Sequence, residues 1–161
     1  MYDFLLWLEG SSLGHAMRNS GVWTYGLVNL THILGVSALF GSVLVLDLRL
    51  LGAWRDVALV SVSGTTLPIA RAGFVVAVIS GIGLLATKAT EYVGNPFLLI
   101  KFPAIAIALI NVAVIERLPA WKARAVREAT DGERRQLAIA GIVSLVSWLT
   151  AVSAGRMIGY W

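Results

Sequence analysis

The sequence has no cysteine, which removes disulfides, thiolate metal sites and cysteine nucleophiles together. It is short of charge as well: 14% of its 161 residues are Asp, Glu, Lys or Arg, where a soluble domain carries about a quarter. Histidine occurs twice, as His15 and His32. With no carboxylate pair beside them, they fall short of the usual zinc set. No hydrolase or transferase pattern is present. The serines of SSLGHAM stand beside His15, but no nucleophile elbow or acid partner follows. The glycines of SGIGLLA sit in an apolar run, where helix packing explains them better than phosphate binding. The opening MYDFLLWLEG lacks a basic segment and carries Asp3 and Glu9, so a cleavable signal peptide is not expected.

What the chain has in excess is apolar surface, with 58% hydrophobic residues and a mean hydropathy of +0.80. That is too much for one globular core of this length and fits side chains turned toward lipid. Four apolar runs are long enough to cross roughly 30 Å of hydrocarbon. They cover about residues 22–46, 68–87, 95–115 and 136–155. The second is expected to begin at Pro68, after the polar SVSGTT, and the third at Asn95-Pro96, an N-cap followed by proline at the first helical position. Residues 1–20 are too polar to span. Phe4, Leu5, Leu8 and Met17 alternate there with Asp3, Glu9, Ser12 and Arg18, which predicts an amphipathic interfacial helix with Trp7 at headgroup depth. A shorter interfacial piece is expected over Ala53 to Ser63.

The basic residues set an orientation. Arg117, Lys122, Arg124, Arg127, Arg134 and Arg135 lie between the third and fourth runs, and Arg49 and Arg55 between the first and second, with Arg71 just inside the second. The opposite side has Arg18, Lys88 and Arg156, with Lys101 one turn into the third run. Positive charge collects in cytoplasmic loops, so both termini are expected outside. On this reading the pI near 9.9 is a topology signal, and nucleic acid is not an expected partner. Small residues mark where helices can approach: Ser37 and Gly41 in the first run, Gly73, Ala77, Ser80, Gly81 and Gly83 in the second, and Gly141, Ser144, Ser147 and Ala151 in the fourth. The expected fold is therefore all-α, one integral membrane domain forming an antiparallel four-helix bundle, N-out and C-out, with the N-terminal helix on its outer face.

Ionisable and amide side chains within such runs are costly and suggest function. Asn29 and His32 are three residues apart on the first run, with His32 about 13 to 15 Å down from its start. Lys101 and Arg156 fall on the same outer side. These four form the candidate ligand-binding cluster. A neutral imidazole at that depth can ligate haem iron, relay a proton or donate across helices. Bis-histidine ligation of haem b would pair His32 with His15, which requires the N-terminal helix to fold over the outer mouth; Lys101 and Arg156 could then pair with the propionates. A copper(I) site would need His32 with Met17 or Met157, whose spacing does not specify one. At the inner side, Asp47, Arg49, Arg71 and Glu116 are expected to form a structural ion network.

The segments WLEGSSLGHAMRNS, NLTHILG, DLRLLG, EYVGNPFLLIKF and AGRMIGYW together resemble an uncharacterised family of bacterial four-helix membrane proteins, a domain of unknown function, over nearly the whole chain. By that resemblance His32, Asp47, Arg49, Lys101 and Arg156 match family motif positions, and His15 matches none. NPFLLIKF and the histidine of the first run are more distantly similar to copper-resistance D-type and cytochrome b561-like membrane proteins. The expectation is a multi-pass protein of the bacterial inner membrane, a non-enzymatic accessory subunit or ligand-binding protein in a larger complex or homo-oligomer. The alternatives are a small b-type cytochrome exchanging electrons with a quinone through His32, and a carrier for copper or a small solute.

Overall fold

The computed structural model describes residues 2–161. They form α1 (Tyr2–Glu9), α2 (Ser12–Asn19), α3 (Gly21–Leu50), α4 (Leu59–Thr87), α5 (Pro96–Ile115), α6 (Pro119–Lys122) and α7 (Asp131–Met157), with 3₁₀ turns at Ala89–Tyr92 and Ile158–Tyr160. No strand occurs among the described residues. Helices α3, α4 and α5 and the stretch Asp131–Tyr160 are long and apolar enough to cross a membrane.

The helix ends follow local chemistry. Ser11 caps α2 by accepting from the Gly14 amide at 3.2 Å, which splits the N-terminal amphipathic stretch into two short helices. Gly21, at φ +80°, supplies the left-handed residue that turns α2 into α3. Thr130 and Glu133 close a reciprocal capping box on α7. Proline opens both α5 and α6.

Helix α4 departs from the sequence expectation. It starts at Leu59, nine residues before Pro68, which lies inside it. The intervening hydroxyls do not break the helix because they bond back to it: Thr65 donates to the Ser61 carbonyl at 3.1 Å and Thr66 to Val62 at 2.9 Å. The expected interfacial piece is thus a turn over residues 51–56 followed by the first turns of α4.

Two compact units emerge. The first joins the chain up to Leu39 to Arg71–Pro96. In it α3 and α4 meet backbone to backbone. A Cβ on Gly73 would lie 2.6 Å from the Leu39 nitrogen and 2.7 Å from the Gly35 oxygen, and one on Gly35 2.9 Å from the Ala77 nitrogen. Such approach is the device of helices that gain nothing from mutual hydrophobicity in lipid. Ser37 and Gly41 were expected at a helix contact, but both are exposed, and nothing lies within 4 Å of Gly41. Ser37 is about 200° around the helix from Gly35, on the opposite face. Leu5 and Leu8 of α1 pack with Ala86 and Ala89.

The second unit holds Phe40–Ala70 and Phe97–Trp161. Its core gathers Leu46, Leu50, Ile115, Ala120, Trp121, Leu137 and Ala140. Gly141 brings α7 against α3, with a Cβ there 3.3 Å from the Asp47 oxygen. Asn111 donates to the Ala140 carbonyl at 2.9 Å, satisfying an amide buried in α5. Large apolar side chains on all four long helices stay open, including Leu34, Ile79, Ile110 and Val146. In water each would forfeit about 1.5–3 kcal/mol of burial; in lipid they cost nothing.

Candidate functional site

The sequence-predicted cluster resolves into two pairs, Asn29 with His32 in the first unit and Lys101 with Arg156 in the second. His32 is half-buried and reaches α4, its Nδ1 2.9 Å from the Ala77 carbonyl oxygen and 3.1 Å from Ser80 Oγ. A carbonyl only accepts, so Nδ1 carries a proton and donates it to Ala77. The ring lies on Gly81, where a Cβ would come 3.1 Å from Cε1. Asn29, a turn earlier, is exposed. Ala77, Ser80 and Gly81 therefore belong to the His32 site. Ala77, Ser80 and Gly81 could be read as a packing face, but the role of the Ala77 carbonyl as an acceptor leaves no mark in a sequence.

His15, on α2, is exposed, and its Nδ1 faces Arg18 Nη2 at 3.4 Å. The same guanidinium donates to the Glu9 carbonyl at 2.8 Å and the Thr87 carbonyl at 3.2 Å, binding α1, α2 and the end of α4 together. Glu9 Oε2 accepts from both the amide and the hydroxyl of Thr90, each at 2.7 Å, and these bonds hold its pKa below the ordinary glutamate value. Met17 sulfur packs at Gly83, 3.6 Å from where a Cβ would stand. Among the described residues no three His, Asp or Glu side chains cluster as metal ligands.

In the second unit, Lys101 is half-buried and its tip runs across Gly155, with a Cβ there 3.5 Å from Nζ and 3.6 Å from Cε. Glycine is what leaves room for the lysine. No carboxylate stands within 4.0 Å of Nζ among the described residues. The neighbouring Arg156 donates to the Tyr160 hydroxyl and lies over its ring at 4.7 Å. Glu91, in the 3₁₀ turn after α4, pairs with Lys88 at 3.1 Å.

Of the inner residues, Asp47 is 2% exposed; Ser144 hydrogen-bonds its carboxyl, and its Oδ2 has no hydrogen-bond partner among the described residues. A lone buried oxygen of this kind is costly to an anion. Arg49 Nε donates to the Val57 carbonyl at 2.8 Å. Arg71 lies on α4 in the first unit and Glu116 just past α5 in the second.

The family of unknown function DUF6644 matches residues 4–161. Neither a curated protein nor a solved structure matches the chain.

Proposed function

Since the chain belongs to that family, whose function is unknown, its role has to be read from its own residues, and we propose that it is a non-enzymatic, multi-pass protein of the bacterial inner membrane that binds an anionic ligand or partner group. In this reading the four long helices form an antiparallel bundle with both termini outside, and α1 and α2 lie on the outer interface. The observation that carries it is Lys101: an ammonium in an apolar helix, laid across Gly155 beside Arg156, with no acid of the described chain to neutralise it. Intramembrane cations are held by counter-charges, and here the counter-charge is assigned to the bound group. That group belongs to a small ligand or to another subunit of a larger complex. The protein extracted in mild detergent should retain it, and Lys101→Met should release it while leaving the fold intact. Native protein and variant that elute alike, each at the mass of its bare chain with nothing attached, would refute the proposal.

The alternative is a small b-type cytochrome linked to a quinone. It is favoured by one observation, the Nδ1 bond of His32 to Ala77, since a ligating imidazole donates its other nitrogen in this way and fixes its tautomer by doing so. Soret and alpha bands in protein expressed with haem supply, sharpening on dithionite reduction, are the result expected of it. A colourless preparation would eliminate it.

A further inference from the structure

The arginines that mark topology in the sequence do more in the fold. At the end of the second unit where α3 leaves off and α7 begins, Arg49, Arg55, Arg124, Arg127, Arg134 and Arg135 line one cavity of about 660 Å³. They come from three separate stretches of chain: the last turn of α3 and the turn after it, the segment following α6, and the first turn of α7. Two are neutralised internally. Arg127 makes two bonds to Glu133, at 2.8 and 2.7 Å, and Arg134 reaches Glu128 at 3.4 Å and Asp131 at 3.6 Å. The other four, Arg49, Arg55, Arg124 and Arg135, have no carboxylate within 4.0 Å among the described residues. Setting Glu128, Glu133 and Asp131 against the six guanidiniums leaves a surplus of three positive charges.

This crowding is held in place. Arg124 Nε donates to Ser63 at 3.1 Å and Nη1 to the Trp121 carbonyl at 2.6 Å, with its carbon centre 4.3 Å over the Trp121 ring. Arg49 is fixed by Val57. The Arg55 guanidinium lies against Gly52, where a Cβ would come 2.9 Å from Nη2, so glycine at φ +105° makes the turn and the room together. Like charges gathered around one cavity repel, and an anion bound among them would offset that repulsion. Guanidiniums match phosphate geometry in pairs. The remaining wall is apolar, with Leu50, Leu59 and Leu137, and it opens at the helix termini, the depth at which headgroups meet helices that cross a membrane.

We propose that this cavity binds the phosphate of an anionic amphiphile, its guanidiniums holding the phosphate and its leucines the adjoining apolar portion. The site is separate from Lys101 and does not depend on the proposed function. Its test uses the full-length protein in mild detergent, titrated with phosphatidylglycerol, with phosphatidylcholine or with inorganic phosphate, and followed by native mass spectrometry and thermal shift. Retention of phosphatidylglycerol over phosphatidylcholine is expected, weakened by salt. The double variant R55Q/R135Q should lose roughly 10- to 30-fold in affinity, as two arginines near a headgroup would contribute. It spares every side chain shown to hold another in the cavity wall, and R55K/R135K, which keeps the charge, should recover most of the binding. Stabilisation by inorganic phosphate without lipid would support the phosphate site and identify free phosphate as its occupant. Equal retention of the two lipids with no response to phosphate would overturn the proposal. So would unchanged affinity in the double variant. Lys101→Met should leave this binding intact, so the two sites fail or stand separately.

Discussion

The two units differ in how fully their charged side chains are matched. In the first, polar side chains are spent on the backbone of a neighbouring helix: His32 on Ala77, Arg18 on Glu9 and Thr87, Glu9 on Thr90. In the second, some are matched in the same way, Asn111 on Ala140 and Arg49 on Val57, but several cations lack a counter-charge. Lys101 and four arginines have no acid partner among the described residues, and Asp47 keeps an unmatched oxygen. A buried or lipid-facing polar group without a partner costs about 1–3 kcal/mol, more when charged. A fold that gathers cations without counter-charges in one unit leaves that unit the better place for an anion to bind. On the proposals above, the first unit is read as the scaffold and the second as the carrier of the two anion sites.

That division can be broken most severely at Gly73. A Cβ there would fall 2.6 Å from the Leu39 nitrogen and 2.7 Å from the Gly35 oxygen, both backbone atoms that cannot swing aside. Gly73→Val should therefore cost about 3 kcal/mol or more, seen as lost expression or a large drop in thermal midpoint in detergent. Gly41→Ala is the matched control. Nothing stands within 4 Å of Gly41, so its substitution should leave the midpoint unchanged or slightly raised. Equal tolerance of both changes would show that the close helix approach is not what holds the first unit.

A smaller effect is expected at His32. Replacing it with leucine removes the donor to the Ala77 carbonyl, a loss of about 1–2 kcal/mol. The thermal midpoint should fall while whatever Lys101 retains stays bound. Loss of visible absorbance in His32→Leu, with stability kept, would instead assign the histidine to a cofactor and end the description of the first unit as scaffold.

How far these features could be read from sequence depends on what each one rests on. The long helices were legible because an apolar run of twenty residues has few other uses. The start of α4 was not, because the hydroxyls of Thr65 and Thr66 look like a break until their bonds to Ser61 and Val62 are seen. The contact face of α3 was missed by its register: small residues at Ser37 and Gly41 advertise packing, while Gly35, two positions from Ser37, does the packing. His32 and Lys101 stood out as polar residues in apolar helices, but Ala77 and Gly155, which position them, carry no polar signal. The arginines were read in the sequence as a topology signal. That three chain segments bring six of them around one cavity is a property of the fold.

The smallest effect sharpens the comparison at its edge, where α1 is tied to the turn after α4. Glu9 accepts two bonds from Thr90, and both favour its charged form, which lowers its pKa below the ordinary value. A carboxyl lowered in this way contributes stability above the ordinary glutamate range and loses it as pH falls through the lowered value. Near neutral pH, Glu9→Gln should therefore speed hydrogen exchange at the Thr90 amide and along α1 relative to the native protein, with the long helices unaffected. On acidification through that lowered value, the native protein loses the same charge and the gap between the two should close. Comparing them at each pH cancels the intrinsic pH dependence of exchange. A gap that persisted in acid would mean the carboxylate charge is not what ties α1 down, and the packing of Leu5 and Leu8 on Ala86 and Ala89 would then be the bond that holds it.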